Sequence, residues 1–387
     1  MRRFFIISLL ALGSSVFAGD AKSTARSIMW AFEPKVALEV FNDLLKENNI
    51  TVLYRERLRQ KNGVRKTGAR ITEIVMESGA RFLGKMFIDA SYEGDLMAQA
   101  GVTYTVGREA SSQYVESLNG ISTKYKYAHQ RPDDIDAYVI KKDPSSGLLP
   151  SVLPRLPPDG SADRGIMAFC FRMCLTNLPA IAEHKAYQLG FLWTLQNHPR
   201  VPAEVREKMK EWGLPKDEFI NDGHWSPQLY IREGRRRVGD LVMVQQHCEG
   251  TKPVPEPIGM GSYTMDSHYV QRHVDARGFV QQENNFDRRI QPYSIGYGAI
   301  VPRQNQCENL LVPVCMSATH VAFGSIRMEP VFMILGQSAA TAACLSIDQQ
   351  VPVQQVSYPQ LRDRLVTDRQ VLNLPGTTAP ASAGSTR

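Results

Sequence analysis

Apolar positions recur with two different periods along this chain, and each change of period marks an element. Val36, Val40, Phe41, Leu44 and Leu45 fall at helical spacing behind Glu33-Pro34. A proline in the first turn beside an acidic residue suits a helix start. Two runs then read as strands, ITVLYRERL (50–58) and RITEIVMES (70–78), with Asn62-Gly63 as the turn between them. The alternation of Ile71, Ile74 and Met76 in the second run is imperfect. Further on, the compact apolar strand Met86-Phe87-Ile88 runs into Asp89-Ala90 and an acidic, glycine-containing turn.

Residues 141–163 hold five prolines among Ser, Gly and Asp, the composition of a long surface loop or linker. The chain turns apolar again from Ala168 to about Leu195. VPAEVREKMKEWG (201–213) then predicts a charged helix with Gly213 as its C-cap. QLYIREGRRRVGDLVMVQQHC (228–248) predicts two strands around a basic turn. Its Arg232, Arg235, Arg236 and Arg237 are the densest positive cluster in the chain, read first as a solvated strand edge guarded by charge and second as an anion site. Leu310 to Cys315 is a short buried-strand pattern, and Glu329-Pro330 to Leu345 predicts a helix rich in small residues that packs closely on a neighbour. The tail 375–387 is low in hydrophobicity and reads as disordered.

Residues 1–18, MRRFFIISLLALGSSVFA, combine a cationic start, an apolar stretch and small residues before a cleavage point. That is a signal peptide, too short to span a bilayer, and it predicts export to the periplasm or medium without a stable membrane anchor. No later stretch reads as a transmembrane helix. The 387 residues allow two or three domains with a sizeable core. A net charge of +6 without long basic blocks points away from nucleic acid. The six cysteines lack the C-x2-C spacing and second ligand pair of a metal site, and buried free thiols are expected; Cys170 and Cys174 are the one close pair.

Two segments could carry chemistry. In the strand–loop–helix unit at 310–345, Ser325, Arg327 and the amides near Met328 lie where a helix N-terminus would hold a phosphate or a polarised carbonyl. His320 sits between the expected strand and helix, as a candidate general acid or base. In FIDASYEGD (87–95), Asp89 ends a strand, followed by Ala90, with Glu93 and Asp95 adding acceptors, which fits the ligand edge of an open α/β sheet. His268, two residues from Asp266, is a weaker candidate. No G-x-S-x-G, H-E-x-x-H or Walker sequence is present.

Four stretches, taken in order, resemble a known family: FIDASYEGDLMAQAGVTYTVGREASSQY, YIREGRRRVGD, IGMGSYTMDSH and PVCMSATHVAFGSIRMEPVFMILGQSAATAA. They look like successive landmarks of the secreted FAD-dependent oxidoreductases, many of which are labelled xanthan lyase related, over about residues 30–370. The resemblance implies an α/β fold: a Rossmann-like FAD/NAD(P)-binding domain of the glutathione-reductase type with an α+β substrate domain inserted into it. By that reading residues 19–105 and 291–374 form the FAD-binding domain and 106–290 the insert. It implies hydride transfer from a small organic or carbohydrate substrate to FAD. His320 and Arg327 would be catalytic, and Asp89, Ala90, Glu93, Asp95, Ser317, Ser325, Arg327, Met328, Gly336 and Gln337 would hold the cofactor. The family's G-x-G-x-x-G unit has no counterpart here, so the FAD-binding domain is expected to be incomplete. Gly296 and Gly298 stand where the family tends to have Pro and Arg. The alternative of a different class is a non-catalytic exported carbohydrate- or surface-binding protein.

Overall fold

The computed structural model describes residues 34–125, 135–168, 170–171, 179–199, 201–214, 219–225 and 229–374. Residues 1–18, expected as a signal peptide, Cys174 and the tail 375–387 lie outside them. The chain divides into two compact units, and both mix helices with small sheets.

The larger unit spans Asn49–Ala168 and Glu233–Arg387. It opens with a three-stranded antiparallel meander, Val64–Thr67, Arg70–Val75 and Arg81–Leu83. The strand expected at 50–58 does not form; only Leu58 makes an isolated bridge, to Met76. The tight turn falls later than Asn62-Gly63, between Thr67 and Arg70, where Gly68 takes a left-handed φ of 58°. The imperfect alternation also has a cause. Ile71, Glu73 and Val75 share the buried face. Glu73 tolerates that position because Arg81 and Arg65 reach it at 2.5 and 3.5 Å.

Phe87–Ile88 pairs in parallel with Leu310–Leu311 across more than 200 residues of sequence, and Leu310 to Thr319 is buried throughout. Of the two strands expected around a basic turn, Leu229–Tyr230 forms, but Arg236 and Arg237, expected in the basic turn, are themselves a strand, paired with Tyr104–Thr105. Pro257–Gly261 pairs with Tyr293–Gly296, Met265–Ser267 with Phe286–Arg288, and Gln271–Val274 with both Val280–Glu283 and Val152–Leu153.

Two helices close the core. His320–Ile326 was not expected as a separate element, and every residue in it is buried. Glu329–Gln349 begins at the expected glutamate and proline, and buries Val331, Leu335, Ser338, Ala339, Ala342, Ala343 and Ser346. Those small residues let it lie on the Pro257–Gly261 strand, where Ser338 Oγ donates to Ile258 O at 2.6 Å. By length and a mean hydropathy of 1.5 this helix is apolar enough to cross a membrane, contrary to the expectation that no such stretch exists. Its apolar face is part of the protein's core.

The smaller unit holds the Pro34–Glu47, Pro179–Asn197 and Ala203–Lys210 helices and the paired strands Cys170–Phe171 and Leu229–Tyr230. Pro34 opens its helix as expected. The Ala203–Lys210 helix ends earlier than Gly213, with Glu211 in right-handed geometry as its C-cap. Among the described residues Cys248, Cys307 and Cys315 are buried free thiols, whereas Cys344 is free and exposed.

Candidate functional site

The buried run from Leu310 delivers the chain to Thr319, whose extended backbone and side chain cap the next helix. Thr319 Oγ1 accepts from Ala322 N at 3.3 Å and donates to Glu116 Oε1 at 2.7 Å. The cap puts His320 in the first turn, where its backbone N–H donates to Glu109 Oε2 at 3.0 Å. Both ring nitrogens are engaged. Nδ1 lies 2.9 and 3.0 Å from the two Glu233 oxygens, and Nε2 lies 3.2 Å from Ser267 Oγ.

Around this ring the charges are paired. Arg236 Nε sits 3.0 Å from Glu233, and its Nη1 donates to Glu109 at 2.6 Å and to Ala318 O at 2.7 Å. Asn119 Nδ2 bridges Glu109 and Glu116 at 3.0 and 2.6 Å. Burial works against ionisation of Glu109, but Arg236 together with hydrogen bonds from the His320 N–H and Asn119 holds that carboxyl below the usual range. Burial likewise opposes charge on Glu233, and His320 with Arg236 brings it below the usual range. Glu116 makes no ion pair among the described residues, and burial pushes its carboxyl up.

A histidine held between a carboxylate and a hydroxyl is a proton-relay geometry. Ser267, His320 and Glu233 are at most 1% exposed, so the relay ends within the core. With the surrounding ion pairs it fastens four distant segments, 107–119, 233–236, 317–320 and the strand of Ser267, to one another. Sequence reasoning found His320 but missed Ser267, Glu233, Glu109 and Glu116. The usable signals were Thr319 as a helix cap and the two adjacent arginines in a strand. The reading of those arginines as a solvated edge is overturned, because Arg236 and Arg237 are both 0% exposed.

The remaining sequence-predicted residues are spread over separate places. Asp89 is buried and caps its own turn, accepting from Ser91 N and Oγ at 3.1 and 2.6 Å and from Met97 N at 2.8 Å. Ala90, Glu93 and Asp95 are exposed, and Arg235 ties the turn down by donating to Glu93 O and Asp95, each at 2.8 Å. Ser317 Oγ accepts from Gly239 N at 3.0 Å. Ser325 Oγ accepts from Tyr293 at 2.7 Å and donates to Tyr263 O at 2.5 Å. Arg327 pairs with Asp266 at 2.7 Å, and Asp266 in turn lies 3.3 Å from His268. Met328 is the N-cap of the Glu329–Gln349 helix, and Gly336 and Gln337 lie half-buried along it.

The turn after Asp89 and the segment from 315 onward do meet. Cys315 Sγ contacts Ser91 O at 3.4 Å, and Tyr92 stacks edge-on against Phe332 with centroids 6.1 Å apart. This follows from the parallel pairing of Phe87–Ile88 with Leu310–Leu311, which sends both chains out at the same end.

The smaller unit carries a different feature. A cleft of about 530 Å³ is lined by Leu189, Trp193, Gln196, Met209, Trp212 and Trp225 among others. Trp193 and Trp212 are 60% and 67% exposed.

A family model for FAD dependent oxidoreductases matches residues 10–184 and 178–365, most of the chain. The protein belongs to that family. No curated protein and no solved structure matches it. Family membership implies FAD, so the nominated side chains can be tested against a flavin's needs. Asp89 and Ser325 have their side-chain oxygens bonded within the protein, and His320 is enclosed. Arg327 keeps one donor, Nε, without a partner. As arranged, the polar side-chain atoms of Asp89, Ser325 and His320 are taken up by other protein groups.

Proposed function

We propose that the chain is an exported FAD-dependent oxidoreductase acting on a small organic or carbohydrate substrate, with a Rossmann-like dinucleotide-binding domain and an inserted substrate domain. When bound, FAD would supply the hydride acceptor. The supporting observation is the parallel pairing of Phe87–Ile88 with Leu310–Leu311, whose following turns converge at Tyr92 and Phe332. Ligands of open α/β sheets bind outside the carboxyl ends of such strands. The buried relay around His320 serves here to hold that end rigid. No step of the reaction is assigned to His320, whose ring nitrogens both face protein groups, or to Arg327, whose Nη2 is spent on Asp266.

The test is the visible spectrum after incubation with FAD and removal of free cofactor. Retained bands at about 370 and 450 nm support the reading, since these belong to the flavin and are only tuned by the protein. A colourless protein overturns it. The second reading, a non-catalytic exported carbohydrate- or surface-binding protein, is favoured by the exposed tryptophans of the cleft. It predicts a colourless protein whose tryptophan emission responds to soluble oligosaccharide.

A further inference from the structure

The formal charge of this protein is concentrated in one place. Nine basic and three acidic residues lie between Asn49 and Ile88, an excess of six that equals the excess of all 387 residues. The rest of the chain is balanced. These residues build the three-stranded meander, and its register gathers the cations along the middle strand. Arg70 opens that strand, Arg65 lies opposite Glu73 and Arg81 opposite Val75. Further along, Arg59 N donates to Val75 O at 3.0 Å and Glu77 N to Arg57 O at 2.7 Å. At the other end Arg70 Nη2 reaches Lys85 O at 3.1 Å. Cations thus border both edges of residues 70–77, a path of about 26 Å in extended chain.

The carboxylates of the meander are already engaged. Glu73 is shared by Arg65 and Arg81, Glu77 faces Arg57 at 3.7 Å, and Glu56 accepts from Ser78 Oγ at 2.5 Å. Arg70 takes Glu308, and Lys66 turns inward to the carbonyls of Ala100 and Gln306. Arg55, Arg59, Lys61 and Lys85 are exposed and make no ion pair among the described residues. Charge on an edge strand guards against edge-to-edge pairing, but either sign would serve that end. A field of one sign attracts a partner of the other.

We propose that the meander is a docking surface for an acidic polysaccharide, holding carboxylates on its successive sugar units. Glu73 between two guanidiniums shows how the sheet binds a carboxylate, and six of the nine cations are arginines, whose fork of donors suits that group. Duplex nucleic acid carries one charge about every 1.7 Å, whereas the meander offers an excess of one about every 4 Å along its path. Single-stranded nucleic acid needs successive aromatic platforms, and Tyr54 is the one exposed large aromatic between Asn49 and Ile88. Among the strand residues, the face turned away from the core carries Arg70 as its single cation, too few to hold a flat anionic membrane. A flexible, sparsely charged polymer that follows the edges of the sheet fits all three observations. The surface is independent of the flavin.

The test is fluorescence anisotropy of labelled polygalacturonate titrated with the full chain at low ionic strength, with dextran of equal length as the neutral control. Polygalacturonate should bind, dextran should not, and the affinity should fall steeply with added salt. Arg59→Gln combined with Lys61→Gln should weaken binding about tenfold. Neither residue has an ion pair to lose, so the fold is kept. Lys141→Gln combined with Lys142→Gln removes the same charge from an exposed turn outside the meander and should change the affinity by less than about twofold. Binding of dextran, equal weakening by the two double variants, or tighter binding to duplex DNA or phosphatidylglycerol vesicles than to polygalacturonate overturns the proposal. A colourless protein that binds polygalacturonate sinks the flavin reading and leaves this one standing. A yellow protein that does not bind it does the reverse.

Discussion

Protonation of His247 should weaken the larger unit in mildly acidic solution. This residue lies in the Gln245–Cys248 helix, 2% exposed, and its Nδ1 accepts the backbone N–H of Val244 at 3.0 Å. An accepting Nδ1 carries no proton, so the ring is neutral in the fold. Burial and the nearby Lys252 charge hold its pKa down at about 4, against an ordinary value of 6.5. Between those two pH values the unfolded chain binds the additional proton, so stability falls as pH drops from 6.5 to 4 and is flat outside that window. At about 1.4 kcal/mol per pH unit, the loss near pH 4.5 is roughly 2–3 kcal/mol. Trp193, Trp212 and Trp225 belong to the other unit, so tryptophan emission would report the wrong event. Urea unfolding followed by hydrogen exchange in peptides covering 243–250 reads the right one. Wild type should lose roughly 2–3 kcal/mol more than His247→Gln between neutral pH and about pH 4.5. Parallel pH profiles for the two proteins would refute the argument.

Two other substitutions probe the buried network and its packing. Gly324→Ala places a Cβ 2.6 Å from Asp266 O, where a buried helix crosses the Met265–Ser267 strand. It should cost about 1–3 kcal/mol in denaturant unfolding, and an unchanged midpoint would show that the helix can move away freely. Glu233→Gln removes one of the two carboxylates of Arg236 and the partner of His320. Its expected cost is about 3–5 kcal/mol, the range for breaking a buried ion pair; a loss below about 1 kcal/mol would mean that Glu109 alone suffices for Arg236.

Local pattern carried a good part of the architecture. The helix starting at Pro34, the strand at Phe87–Ile88, the buried run from Leu310 and the small-residue helix from Glu329 were all legible, because each is dictated by neighbours within a few residues. The four ordered motifs likewise carried the family. Burial over long range was not legible. A strand containing Arg236 and Arg237 looks like a solvated edge until Glu109 and Glu233 are brought to one of the two arginines. Glu73 looks like an outward residue until Arg81 meets it.

The chain's own order of residues therefore determined its turns, its helix starts and its membership of an FAD-dependent lineage, since these depend on backbone preference and on short spacings. Which charges are paired, which histidine is enclosed and which arginine is left without a counterion were decided only by the tertiary fold. The reason is electrostatic: the worth of a charge depends on the dielectric around it and on which partners the fold brings to it, some, like Glu109 for Arg236, more than a hundred residues away.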